Sequence, residues 1–170
     1  MNAEELRSVQ SPLKARYCEA PEAALITLRA RGRLGDGVSC SVEAGKALVV
    51  AGLHPSTGGN GLNACSGEML LEALVACAGV TLNAVATALG VELRDASLHA
   101  EGDLDVRGTL GLAKEVPAGF QSIRLSIALD TDASEEQLAT LLRLTERYCV
   151  AYQTFARPPA MAVTRKSVTR

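Results

Sequence analysis

Two cysteines, Cys77 and Cys149, stand in the middle of apolar, helix-patterned stretches of this 170-residue chain. A thiol in such a place is either a small inert core residue or the centre of redox chemistry. Cys77 is flanked by Ala76, Ala78 and Gly79, which let other backbone come close to its sulfur. The two cysteines are 72 positions apart, and nothing in that spacing pairs them. If their helices pack, however, both sulfurs face the contact. Packed helices lie about 8–10 Å apart and a disulfide needs Cα atoms within about 7 Å, so a bond is feasible. In a reducing compartment such a pair is catalytic or redox-sensing rather than structural. One thiolate becomes a sulfenic acid on meeting an oxidant, and the other condenses with it. The attacking group must be a thiolate, and a mid-helix position gives Cys77 little help from its own helix dipole. The sequence reading therefore requires an arginine from elsewhere. Of the remaining thiols, Cys18 lies in a polar arm, Cys40 reads as strand core, and Cys65 sits at a helix start. The dipole there makes Cys65 a rival resolving residue.

The elements that must position these groups follow from periodicity. Cys65–Leu89 repeats apolar residues at three- and four-residue steps and is apolar nearly all round, which predicts a helix buried between layers. Ser66 is its expected cap, Glu68 its first-turn acid, and Gly90 its stop. A second helix is predicted from the capping box Ser134-Glu135-Glu136-Gln137 to Pro158, with Leu138, Leu141, Leu142, Thr145, Cys149 and Tyr152 on one face. Residues 1–23 read as a polar helical arm and 24–170 as the folded domain. Period-two alternation predicts three meander strands between Ala24 and Ala51, turning at Gly35-Asp36-Gly37 and Ala44-Gly45-Lys46. It also predicts an interrupted strand over Val91–Val106, a good one over Phe120–Leu129, and a last one over Met161–Val168. The order βββ-α-ββ-α-β is that of an α+β fold, not a doubly wound one.

Composition narrows the chemistry. A net charge of −2 argues against nucleic-acid binding. No CxxC pair occurs, and His54 and His99 are the only histidines, so neither a zinc site nor a thiol hydrolase with a histidine base is supported. The Gly-rich run His54–Gly61 fits neither phosphate-binding fingerprint and reads as a loop. No cofactor is expected. The start MNAEELRSVQ is not a signal peptide, and Glu72 and Asn83 interrupt the long apolar helix, so a cytoplasmic protein without a membrane span is the expectation.

Two segments carry a family resemblance. Gly58-Gly59 followed by Ser66-Gly67-Glu68-Met69-Leu70-Leu71-Glu72-Ala73-Leu74-Val75-Ala76-Cys77 resembles the signature of the OsmC/Ohr family (osmotically induced protein C and organic hydroperoxide resistance protein). Arg147-Tyr148-Cys149-Val150-Ala151-Tyr152-Gln153-Thr154 is similar to its second motif, with Val150 where the best-known form has proline. The resemblance spans roughly Ala24 to the C-terminus. It implies an intertwined homodimer, two central helices on antiparallel sheet, and a site at the subunit interface. It further implies thiol-dependent reduction of organic hydroperoxides, with Cys77 peroxidatic, Cys149 resolving, and a dithiol of lipoyl type as reductant. An arginine and a glutamate support the reactive thiol in such proteins. Arg33 is the choice by position, with Arg29, Arg31 and Arg107 open; Glu68 is the matching acid, too far along the helix to touch its own chain's Cys77. Two other readings of the same fold are a non-catalytic binding module for an apolar ligand and a redox sensor that oxidises once.

Overall fold

The computed structural model describes residues 2–25, 31–34, 39–44 and 47–166. It begins with α1 (Ala3–Glu19), closed at its start by a capping box between Asn2 and Glu5. The arm is one continuous helix, with Pro12 inside it rather than in the first turn of a second helix.

Strands β1 (Arg31–Leu34), β2 (Ser39–Ala44) and β3 (Ala47–Gly52) form the antiparallel meander expected from their alternation. Residues 26–30, with Arg29 and the start of the expected first strand, lie outside the described residues, as do both turn sequences at 35–38 and 45–46. A short strand not foreseen from the sequence, β4 (Ala64–Cys65), pairs parallel to β3. The turn-rich run before it includes a single 3₁₀ turn, Pro55–Thr57, where His54 Nδ1 accepts the Ser56 N–H.

The chain then enters α2 (Ser66–Leu89). Cys65, not Ser66, is its N-cap, and no side chain caps the helix. Gly90 ends it at φ +69°, its N–H reaching the carbonyls of Ala86 and Thr87; glycine enters this left-handed region without a Cβ clash. α2 is the helix, among the described residues, long and apolar enough by composition to cross a membrane. Here it lies against protein on one side.

Strand β5 (Asp95–Asp103) pairs antiparallel with β6 (Ser122–Asp130) from Asp95↔Asp130 to Asp103↔Ser122. The irregularity read between Leu93 and Leu98 is a strand start: Val91–Arg94 stays outside the ladder. At the far end Leu104 and Val106 leave it too, because Asp105 accepts the Arg107 N–H and caps the one-turn helix α3 (Val106–Thr109). The inner face of the hairpin carries Leu98, Ala100, Ile123, Leu125 and Ile127; the outer face is polar, with Arg124 between Glu101 and Asp103. Gly102 is required where it stands, since a Cβ there would lie 2.5 Å from the Phe120 ring.

The Ser134–Gln137 capping box forms as the sequence indicates and opens α4 (Glu135–Tyr148), followed by α5 (Val150–Ala156). The described residues after Arg157 contain no strand, so the last strand expected from Met161 does not form there; 167–170 lie outside the description. The α+β class holds, with helices on the β5–β6 hairpin.

Burial is one-sided. Leu74, Ala78, Leu82, Val85 and Ala86 of α2 are buried against β5, α4 and α5. Leu70 and Val80 are exposed, Val80 to 74 %, so α2 is not enclosed on all sides by its own chain as its composition suggested. The whole chain presents 13193 Å² to solvent. A compact monomer of this mass presents about 7,900 Å².

Candidate functional site

α2 and the α4–α5 segment pack through small residues, and this contact brings the two sulfurs together. Leu74, Ala78 and Cys149 are buried as one cluster, with Cys77, Ala151 and Tyr152 packed against it. Cys149 has no solvent-accessible surface, whereas Cys77 is half-buried. Both are free thiols, and each acts on the other's ionisation.

Cys149 is not in mid-helix. Its backbone is extended, φ −72° and ψ 111°, making it at once the C-cap of α4 and the N-cap of α5. Its N–H bonds to the Thr145 carbonyl at 2.9 Å, closing α4, and its carbonyl accepts the Gln153 N–H at 2.9 Å, opening α5. Its sulfur accepts the Tyr152 N–H at 3.4 Å. A helix start leaves its first amides without intrahelical acceptors. Here those amides belong to Val150 and Ala151, and both lower the pKa of Cys77.

The thiol of Cys77 responds to that arrangement. Burial works against its ionisation, but the Ala151 amide, the Cys149 side chain, the Val150 amide and the Thr81 hydroxyl outweigh it, and its pKa falls below the ordinary thiol value. Cys149 moves the other way: burial raises its pKa, with Cys77 adding to the rise against the Tyr152 and Ala151 amides. The contact thus eases ionisation of Cys77 and opposes that of Cys149. That is the division of labour a nucleophile and a resolving thiol need.

Among the described residues, the groups that act most strongly on Cys77 are neutral. The dipole of α2 offers Cys77 little, but the break at Cys149 supplies amides from another helix. Arg107 is paired with Asp105. Arg31 and Arg33 lie in β1, with side chains outside what the structure describes. Glu68 is exposed in the first turn of α2, nine positions before Cys77, or about 13 Å along the axis. Cys65 is twelve positions away, about 18 Å, so only Cys149 of the described thiols is brought to Cys77. Cys18 is exposed on α1. No group of three His, Cys, Asp or Glu that could hold a metal occurs among the described residues.

Val150 offers a direct check on the amides. Proline is favoured at the first position of a helix, and the extended Cys149 backbone already suits a residue preceding proline. Val150→Pro therefore preserves α5 while deleting one donor to Cys77. Thiolate absorbance against pH is expected to show Cys77 titrating higher than in the parent. Its reaction with a thiol reagent at neutral pH should slow several-fold, while Val150→Ala, which keeps the N–H, matches the parent. Identical titration of all three would remove Val150 from the account.

The sequence model of the family described as OsmC-like protein matches residues 58–164, which include both cysteines and the helices that carry them. No curated protein matches the chain. Among solved structures it is similar to an OsmC-like protein from Mycoplasma pneumoniae, at 17 % identity and TM-score 0.65, covering 78 % of this chain and 89 % of that one. An organic hydroperoxide resistance protein OsmC from Legionella pneumophila aligns at 18 % identity and TM-score 0.61, over 78 % and 91 % of the two chains. The organic hydroperoxide resistance protein OhrB of Bacillus subtilis aligns at 18 % and 0.51, over 78 % and 92 %. At these identities the likeness is one of fold.

Proposed function

The chain belongs to the OsmC-like protein family, and from that premise we propose that it is a cysteine-based peroxidase that reduces organic hydroperoxides. The observation that carries the reading is the Cys77–Cys149 pair, one thiol eased toward thiolate and the other held protonated beside it. The Cys77 thiolate attacks the terminal peroxide oxygen. The O–O bond breaks, the alkoxide leaves and takes a proton as the alcohol, and Cys77 becomes a sulfenic acid. Cys149 then attacks the Cys77 sulfur, forming the disulfide and releasing water. A dithiol restores both thiols. Similarity in fold to proteins titled organic hydroperoxide resistance proteins supports the substrate class. The cycle needs a reducing compartment, consistent with a cytoplasmic protein.

The working unit in this reading is a homodimer. The accessible surface exceeds that of a compact monomer by about 5,000 Å². Obligate dimers bury about 2,000–5,000 Å² or more counted over both chains, so one chain with this surplus has ample surface for such an interface. The uncovered face of α2, with Leu70 and Val80, is apolar as such an interface requires. Assembly also gives Arg33 and Glu68 a place: each would support Cys77 across the subunit boundary rather than within one chain. Light scattering should report twice the 17.7 kDa chain mass; a monomer would remove the shared site from the proposal.

The reading is tested by adding cumene hydroperoxide to the reduced protein and mapping disulfides by mass spectrometry. A Cys77–Cys149 bond, reversed by dihydrolipoamide with renewed peroxide consumption, is the expected result. Disulfide formation without turnover would mark a redox sensor. No oxidation at Cys77 would leave a binding module on the same fold.

A further inference from the structure

The break between α4 and α5 is closed from both sides by one residue. An uninterrupted helix bonds each N–H to the carbonyl four residues back, which here would pair Val150 with Glu146, Ala151 with Arg147 and Tyr152 with Tyr148. The chain does otherwise. The Cys149 N–H still reaches the Thr145 carbonyl at 2.9 Å, but the Glu146 carbonyl, next in line, accepts the side-chain Nε2–H of Gln153 at 2.8 Å. The backbone N–H of the same glutamine donates to the Cys149 carbonyl at 2.9 Å and opens α5. The Tyr152 N–H goes to Cys149 Sγ. Gln153 thus ends one helix and begins the next, spanning the cysteine between them.

We propose that Gln153 is a positioning residue: its carboxamide occupies the acceptor that the Val150 N–H needs to continue α4, and so keeps Cys149 extended and packed with Cys77. The proposal rests on the peroxidase reading for the use made of the two thiols, and adds what holds them in place.

No proline or glycine lies between Thr145 and Gln153, and every residue from Val150 to Gln153 carries an N–H, so the sequence permits a continuous helix. A carbonyl at a helix end must find a donor or stay unsatisfied. With Gln153 in place the Glu146 carbonyl is already bonded, and joining the helices would exchange one hydrogen bond for another. Without that side chain, the Val150 N–H is the donor that restores the bond. Taking it turns Cys149 from extended to helical backbone and withdraws the Val150 amide from the groups that ease ionisation of Cys77. Packing against α2 decides where α4 stops; Gln153 keeps it stopped. Every charged side chain of α2, α4, β5 and β6 is exposed and α5 carries none, while Cys149 and Tyr152 are the titratable groups packed with Cys77. A change in Cys77 on altering Gln153 therefore reports on the junction.

Gln153→Met keeps the length of the side chain and removes its donor. In the full-length reduced protein it should slow diamide-driven formation of the Cys77–Cys149 disulfide several-fold and raise the pH at which Cys77 titrates, with no loss of helix by circular dichroism. A folded Gln153→Met that matches the parent in both overturns the proposal. Gln153→Lys retains a donor for the Glu146 carbonyl and should react as fast as the parent; if it lags as Gln153→Met does, the hydrogen bond is not what matters. The double variant Val150→Pro/Gln153→Met separates positioning from general stability. Proline cannot donate to Glu146 and holds the preceding Cys149 extended, so Gln153→Met should change nothing further in that background. Effects that add there, as those of independent sites do, also overturn the proposal. Diamide and titration need no peroxide. A parent that fails to consume cumene hydroperoxide would defeat the peroxidase reading and leave the role of Gln153 measurable.

Discussion

Cys77→Ser is expected to abolish peroxide consumption while leaving the fold intact. A serine hydroxyl is close to a thiol in size, and position 77 is only half-buried, so packing changes little. Its chemistry changes completely. The amides of Val150 and Ala151 favour the thiolate of Cys77, and no comparable alkoxide exists there for them to hold. Cys149→Ser separates the two roles. It keeps the nucleophile and should consume about one peroxide per chain before stopping at the sulfenic acid, because nothing remains to condense with it. Stopped-flow peroxide consumption, with circular dichroism to check the fold, reads both variants. Full turnover in Cys77→Ser would end the assignment. The pH profile follows with a definite sign. Because Cys77 titrates below an ordinary thiol, the rate should rise with pH and level off below the usual thiol range.

Leu141→Ala should cost about 2–5 kcal/mol of stability, a large part of the roughly 5–15 kcal/mol a domain has. Leu141 has no accessible surface and packs with Leu82, Val85, Ala86 and Val91, where α4 crosses α2. Removing three carbons leaves a cavity that neighbours on two helices and the hairpin cannot close together. Thr145, one turn on, donates its hydroxyl to the Leu141 carbonyl at 2.8 Å, so the same turn leads to the cap at Cys149. Loss of packing there should loosen the thiol site along with the fold. Thermal denaturation at fixed protein concentration measures the first effect and thiol reactivity the second. A melting temperature within about 2 °C of the parent would show that the crossing contributes little.

Local patterns were legible where they depend on neighbours in sequence. The Ser134–Gln137 capping box, the Gly90 stop and the alternation of Ile123, Leu125, Ile127 and Leu129 need only residues a few positions apart, and each forms. The motif around Cys77 was legible for the same reason, as was the family. Burial was not. A helix apolar all round says that two faces want cover, not which chain covers them, and here one face of α2 stays open. The strand expected at Met161 failed in the described residues because alternation alone gives an edge no partner.

The sequence by itself determined an α+β domain with two cysteine-bearing helical segments, and the helix that presents Cys77. Only the tertiary structure decided how that thiol is activated. Nothing between Tyr148 and Val150 is a proline or a glycine, so no local signal breaks the helix there. The break exists because Cys149 takes an extended backbone while packed against α2. Two amides are thereby freed of helix acceptors and ease the ionisation of a thiol more than 70 positions away in the chain. Periodicity records which side of a helix is apolar. Where a helix must stop to let its amides meet a distant thiol is fixed by the packing of both.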